Sequence, residues 1–273
     1  MTSAIEALEP LRETIRRYDL TARKSLGQNF LLDLNLTRRI ARAAGDLSSG
    51  TTIEIGPGPG GLTRALLLEG ATNVVAVERD PRAVAALSEL VEASAGRLHI
   101  VEADALKLDP TSLGPAPRRI VANLPYNIAT RLLLGWLEQP DAFDSLTLMF
   151  QKEVAERLVA APGTSQYGRP SIVVQWLAEA RLLFEVPARA FTPPPKVTSA
   201  IVHLEPRATP LFPANRRQLE QLTQAAFGQR RKMLRSSLKK LGGEGLLRGA
   251  GIEPTARPEE LSIEEFCRLA RAI

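Results

Sequence analysis

From about residue 51 to residue 150 the hydrophobic and polar positions alternate between two periods. Short β-branched runs (TTIEIG, NVVAVE, LHIVEA, RRIVANL, SLTLMF) are separated by GLTRALLLEGA, PRAVAALSELVEAS and IATRLLLGWLEQ, in which apolar residues recur at three-and-four spacing. Near-continuous apolar runs suit strands covered on both faces, and the helical segments between them are the crossovers a parallel sheet needs. The pattern predicts an α/β fold, and Pro81 stands at a plausible first helical position. Farther on, KEVAERLVAA and SIVVQWLAEA predict two more helices, and ARLLFEVP and VTSAIVHLEP two closing strands. Between those strands RAFTPPPKV is predicted as a stiff loop, because three successive prolines remove three ladder donors. Strand signals stop near Pro206, and RRQLEQLTQAAFGQRRKMLRSSLKKL, GEGLLRGAG and PEELSIEEFCRLARAI predict helices. The expected organisation is a sheet domain over 1–205, with an N-terminal helical and mobile segment, and a small all-helical domain over 206–273.

Composition narrows the class. With 44% hydrophobic and 24% charged residues over 273 positions, the chain is that of a folded globular protein. Cys267 is the only cysteine, which excludes an intrachain disulfide and a cysteine-cluster zinc site. His99 and His203 are far apart and lack a flanking ligand pattern, so no metal is expected. The acidic, amphipathic start MTSAIEALEPLRETIRRYDL is unlike a signal peptide, and no apolar run approaches membrane-spanning length. A cytoplasmic protein is expected.

Candidate chemistry begins in IEIGPGPGGLT, where Gly56, Gly58 and Gly61 fall between the first predicted strand and a helix. Glycines there allow a sharp turn and close approach of a ligand to the backbone. Glu78 ends the next strand, placed to accept from both hydroxyls of a ribose; its alternative is a surface carboxylate pairing with Arg79. Asp104, at the end of the third strand, can accept from the exocyclic amine of an adenine. Two acids on successive strand ends favour S-adenosylmethionine over a nicotinamide dinucleotide. The prolines of GPGPGG agree, because a pyrophosphate cradle needs backbone amides that proline lacks.

The fourth strand runs into Asn123, Leu124, Pro125 and Tyr126. An adenine amine is a poor nucleophile because its lone pair is delocalised into the ring. If the Asn123 oxygen and a backbone carbonyl of the Leu124–Pro125 segment each accept one amine hydrogen, the nitrogen can pyramidalise towards the methyl donor. Tyr126 offers a stacking face for the extruded base. The alternative reading of these four residues is a turn that closes the strand.

KSLGQNFLLD, EIGPGPGGLT, VERD, ADAL, NLPYNIAT, FTPPPKVTSAIV and AAFGQRRKMLRSSL, in this order from about residue 15 to 270, together resemble the KsgA-type small-subunit ribosomal RNA adenine dimethyltransferases. The resemblance implies a Rossmann-like S-adenosylmethionine-dependent sheet. It also implies dimethylation of two adjacent adenosines in the 3′-terminal hairpin loop of small-subunit ribosomal RNA, on an assembling 30S subunit. By the same match, donor contacts fall on Asn29, Leu31, Gly56, Gly58, Glu78, Asp104 and Asn123, and Phe191 helps hold the target base opposite Tyr126. One departure from the pattern is Ser236, where asparagine is expected.

Charge is concentrated in the C-terminal part. Between Phe191 and Gly243 ten Lys and Arg face two acids, Glu205 and Glu220, whereas the whole chain is only +5. The helix predicted through QRRKMLRSSLKK puts Arg231, Arg235 and Lys239 on one face, so Arg230, Arg231, Lys232, Arg235 and Lys239 are expected to bind RNA, together with Lys24. The segment ARKSLGQNFLLD is expected to order over donor and nucleic acid. The protein is expected to act as a monomer. Other readings are a large-subunit ribosomal RNA methyltransferase of the antibiotic-resistance type, a nicotinamide oxidoreductase and a non-catalytic RNA-binding assembly factor.

Overall fold

The computed structural model describes residues 4–23 and 26–273. In chain order the elements are α1 (Leu11–Arg17), β1 (Phe30–Leu31), α2 (Leu34–Ala43), β2 (Thr51–Ile55), α3 (Gly61–Leu68), β3 (Val74–Glu78), α4 (Pro81–Ala86), α5 (Ser88–Ala93) and β4 (Leu98–Glu102). They continue with β5 (Arg118–Ala122), α6 (Tyr126–Trp136), β6 (Ser145–Gln151), α7 (Lys152–Val159), α8 (Arg169–Leu177), β7 (Ala178–Val186), β8 (Phe191–Thr192) and β9 (Ser199–Pro206). The last four are α9 (Arg216–Phe227), α10 (Leu234–Ser237), α11 (Gly243–Gly249) and α12 (Ile263–Ala270). Among the described residues no helix is long and apolar enough to cross a membrane.

The chain separates into two compact units, 1–152 with 182–205, and 153–181 with 206–273. In the first, the sheet order is β4-β3-β2-β5-β6-β9-β7. The run from β4 to β6 is parallel and β9 joins β6 antiparallel. The strands read from the periodicity are therefore present, and β2 and β3 are buried at every position, as expected for strands covered on both faces. Order reverses between β2 and β5, which creates the crevice where open parallel sheets bind ligands. Local signals set the helix starts: Asp33 caps α2 through the amides of Asn35 and Leu36, and Asp80 caps α4 ahead of Pro81.

One small ladder was not evident in the sequence. Phe30 and Leu31 pair antiparallel with Thr192 and Phe191, so FTPPPKV begins as an edge strand and becomes a loop where Pro193 ends the pairing. The segment read as the helix SIVVQWLAEA stops at Leu177, and β7 starts at once at Ala178.

The second unit is helical around a cluster in which Phe227 stacks on Phe266 at 5.8 Å and meets Tyr167 edge-on at 6.3 Å. Residues 153–181, read above with the sheet domain, cluster here with α9 to α12. The cause is α8, which buries Ile172, Val173, Val174, Trp176 and Leu177 and leaves little amphipathic period to read. The Trp176 indole also donates to the Phe212 carbonyl at 2.7 Å.

The continuous helix expected through QRRKMLRSSLKK is not formed. Helix α9 ends at Phe227 with Gly228 as its cap, residues 229–232 turn, and α10 restarts only after an extended Met233. Lys239 lies in a separate short turn, so Arg231, Arg235 and Lys239 do not share one helical face. Buried Leu234 and Leu238 anchor the new helix, and the Leu234 and Arg235 amides bond to the carbonyls of Ala256 and Pro254. This tertiary anchoring overrides a locally helical pattern.

Candidate active site

The cleft lies in the first unit at the carboxyl ends of β2, β3, β4 and β5 and encloses about 940 Å³, including its open mouth. Its glycines have separate tasks. Gly56 and Gly58 adopt φ of +71° and +54°, a backbone that a side chain disfavours. Space around a Cβ built on Gly56 is empty to 4 Å, so the backbone there faces open cleft. Gly61 opens α3, and its Cβ would meet the Leu31 carbonyl oxygen at 2.3 Å. The third glycine thus lets helix and β1 pack closely. Gly61→Ala is expected to cost about 2 kcal/mol of stability by overpacking and, by displacing Leu31, to weaken donor binding. Thermal melts and donor titration check this; unchanged values in both would show that β1 moves freely.

Glu78 is 6% exposed. Its Oε2 accepts from the Gly58 amide at 3.2 Å and its Oε1 from the Arg79 and Asp80 amides at 2.7 and 2.8 Å. Burial raises its pKa, the Asp80, Arg79 and Gly58 amides offset this, and the Asp80 charge adds to it. The carboxylate is therefore bound to the backbone of the glycine turn and of its own strand end, rather than to the Arg79 guanidinium. Asp104 also lines the cleft, and its Oδ1 accepts from the Leu106 amide at 3.0 Å.

Sequence reasoning missed several supports. Asp80 is held by Arg82 and by Gln28 Nε2 at 3.1 Å; these bonds, that to Arg82 foremost, lower its pKa against the effect of burial. The Asp-Pro pair is the one local signal for it. Glu54 also lines the cleft, only 1% exposed, at the penultimate position of β2.

Asn123 makes the decisive contact. Its Nδ2 donates to the Asn29 carbonyl at 3.0 Å, a bond that assigns the amide orientation and leaves Oδ1 as a free acceptor in the cleft. The bond also ties β5 to the Gly27–Leu31 segment, which lines the same cleft. Between the two candidate carbonyls the structure distinguishes clearly. That of Pro125 accepts from the Ile128 and Ala129 amides in the first turn of α6, whereas among the described residues no donor reaches that of Leu124. Tyr126 is half-buried, with its hydroxyl 2.6 Å from Ser199 Oγ on β9. Burial raises its pKa, partly offset by Ser199. The Ser199 partner is 73 residues away and has no local sequence signal.

Asn29, Leu31, Gly56, Gly58, Glu78, Asp104, Asn123, Leu124, Pro125 and Tyr126 all line this one cleft. Phe191 does not: it is 3% exposed, pairs with Leu31 and packs in the core with Ile201 and Val186. The charged groups lining the cleft among the described residues are Glu54, Glu78, Arg79 and Asp104, an excess of acid that suits a cationic ligand. With the open backbone at Gly56, this donor set fits the sulfonium compound S-adenosylmethionine.

The second unit carries 16 Lys and Arg against 10 acids, a net +6, whereas the first carries 19 against 20. Arg231, Lys232, Arg235 and Lys239 are exposed, and among the described residues none has a carboxylate within 4 Å. Arg230 is partly buried and donates to the Thr164 carbonyl at 3.3 Å. Ser236 is exposed on α10. Lys24 lies outside the described residues.

With its free amide oxygen and free carbonyl at a strand end beside an acid-lined crevice, the fold defines a class: a Rossmann-like methyltransferase acting on an amino group. A sequence profile of the family "Ribosomal RNA adenine dimethylase" matches residues 19–273, and the chain belongs to that family. The chain is 65% identical over 267 residues to the "Ribosomal RNA small subunit methyltransferase A" of Paramagnetospirillum magneticum, covering 97% of this chain and 95% of the relative. It is 60% identical over 269 residues to the protein of the same name from Rhodospirillum rubrum, covering 98% and 93%. Among solved structures, a dimethyladenosine transferase from Plasmodium falciparum superposes with a TM-score of 0.73 at 27% identity, covering 88% of this chain and 95% of that one. The 23S rRNA methyltransferase ErmE gives 0.67 at 30% identity, covering 89% and 99%.

Proposed function

We propose that the protein transfers methyl groups from S-adenosylmethionine to the exocyclic amines of two adjacent adenosines in the 3′-terminal hairpin loop of small-subunit ribosomal RNA, on an assembling 30S subunit and as a monomer. The observation that carries this reading is the orientation of Asn123, whose bond to Asn29 leaves Oδ1 as an acceptor beside the unpartnered Leu124 carbonyl. When bound, S-adenosylmethionine supplies an electrophilic methyl group on a cationic sulfur. Glu78 accepts from the ribose hydroxyls and Asp104 from the adenine amine, with the Gly56–Gly58 backbone, Asn29 and Leu31 completing the donor site. Asn123 Oδ1 and the Leu124 carbonyl each take one hydrogen of the target amine, which directs its lone pair to the methyl group. The proline ring of Pro125 fixes that carbonyl before reaction, and Tyr126, held by Ser199, stacks on the base. Phe191 supports the base only if the buried β1–β8 ladder opens around it.

Small-subunit specificity is supported by the curated relatives at 60–65% identity. The test is transfer of label from S-adenosylmethionine to undermethylated small subunits, large subunits or duplex DNA, followed by nucleoside analysis. Dimethyladenosine is expected on small subunits; its appearance on large subunits alone would favour the reading that the ErmE likeness allows.

The RNA surface comprises Arg231, Lys232, Arg235 and Lys239, with Arg230 and Lys24 contributing. Because the helix is interrupted, the charges lie on a turn, a short helix and a second turn, a spread that suits a curved backbone of phosphates. Replacing Arg231 and Arg235 together by alanine is expected to weaken RNA binding and reduce the slope of log K against log salt by about 0.7–0.9 per lost phosphate contact. Donor affinity stays unchanged. A filter-binding series over salt concentration checks this, and an unaltered slope would place the RNA elsewhere.

A further inference from the structure

Glu54 is the one acid of the cleft that the methyl-transfer scheme leaves unused. It stands in β2 between Ile53 and Ile55, opposite Ala76 of β3 in the parallel ladder, and is 1% exposed. Its Oε2 and the hydroxyl of Thr63 on α3 are both buried, and among the described residues neither makes a hydrogen bond of ordinary geometry. A buried carboxylate without donors is costly, and the ordinary resolution is to keep a proton. Burial pushes the Glu54 pKa up to about 8, with Thr63 offsetting part of the shift and the charge of Glu78 adding to it. The other charged groups of the cleft are Asp104 and the exposed Arg79; no lysine or histidine lines it among the described residues. The buried acid therefore has no ion-pair partner among the described residues, since the one cation that lines the cleft, Arg79, is exposed.

The donor and its product differ in that respect. S-adenosylmethionine carries a sulfonium, an ammonium and a carboxylate, net +1, whereas the thioether S-adenosylhomocysteine is net neutral. We propose that Glu54 is a titrating counter-charge for the donor: it keeps a proton in the free cleft and in the thioether complex, and releases it when the sulfonium compound binds. This rests on the donor reading of the cleft. The charge balance closes over one turnover. Attack of the amine on the methyl group forms one C–N bond and breaks one C–S bond. The sulfonium charge is discharged and the methylated amine loses one proton, while Glu54 regains one from solvent. The next donor displaces it. One residue thus distinguishes substrate from product by charge, although the two differ by a single methyl group.

A positive charge brought beside a buried carboxyl favours its ionised form and lowers its pKa. From about 8, donor binding therefore moves the Glu54 pKa down. Calorimetric titration of the full-length protein at pH 7, in phosphate and in Tris, reads the proton count from the difference in heats. S-adenosylmethionine is expected to release a fraction of a proton per site, S-adenosylhomocysteine close to none, and sinefungin, which carries an ammonium in place of the sulfonium, nearly as much as the donor. Donor affinity should rise with pH through neutrality, by less than tenfold per pH unit, and level off above about pH 8, while thioether affinity stays flat. Glu54→Gln should abolish the proton release and the pH dependence while still binding both ligands. Equal proton counts for donor and thioether in the wild-type protein would overturn the proposal, as would release persisting in Glu54→Gln. Failure of either ligand to bind the wild-type protein at all would remove the donor reading itself, and this proposal with it.

Discussion

Asn123→Ala is expected to slow methyl transfer by roughly a hundredfold or more, about 3 kcal/mol of barrier, the scale of losing one preorganised polar contact at a reacting atom. Two losses are combined in that figure. The Oδ1 acceptor of the target amine disappears, and so does the Nδ2 donor that holds the Asn29 carbonyl at 3.0 Å. Asn123→Asp separates them, because it keeps acceptor oxygens but cannot hold Asn29. Single-turnover rates on small subunits, set against donor affinity from titration, distinguish chemistry from assembly of the cleft. If alanine lowers donor affinity a hundredfold and leaves the saturated rate near normal, Asn123 only positions the Gly27–Leu31 segment. A saturated rate reduced in alanine but largely kept in aspartate would place the contribution of Asn123 in amine orientation itself; a rate reduced equally in both would place it in the bond to Asn29.

Glu54→Gln is expected to stabilise the protein, increasingly so as pH rises. The sign follows from the raised pKa: below about pH 4.5 the carboxyl is neutral in folded and unfolded chains and contributes nothing. Between about 4.5 and 8 the unfolded chain is ionised and the folded one is not, so each pH unit removes about 1.4 kcal/mol from the wild-type protein. Above pH 8 the loss is complete, on the order of 5 kcal/mol, and glutamine carries none of it. Melting curves of both proteins at pH 5, 6.5 and 8 without ligand should diverge steadily. A difference that does not change with pH would mean that Glu54 is solvated in the folded chain. Natural retention of so costly a group is consistent with a functional use, since stability is commonly sacrificed at sites of action.

The sequence pointed to ten of the residues that line the cleft, but not to Glu54 and not to how any of them is used. Glu78 illustrates the difference: its place at a strand end follows from periodicity, but its choice between Arg79 and the backbone amides depends on burial. Phe191 illustrates the reverse case. The resemblance placed it at the base, and the β1–β8 ladder places it in the core, because a two-residue strand pairing leaves no periodic signal. The interrupted helix at Gly228 belongs with it: composition favours helix throughout, and contacts with residues more than 18 positions away break it.

By itself, the sequence determined the parallel strands, the glycine turn, the two strand-end acids and the Asn-Leu-Pro-Tyr segment, because each is written in local period or in residue types that few backbones accept. Tertiary structure alone decided the direction of the Asn123 amide, the choice of the Leu124 carbonyl over that of Pro125, the Tyr126–Ser199 bond and the isolation of Glu54. The Asn123 and Tyr126 bonds depend on partners far along the chain, the choice of carbonyl on where the first turn of α6 begins, and the isolation of Glu54 on exclusion from water, none of which is written in the order of residues around them.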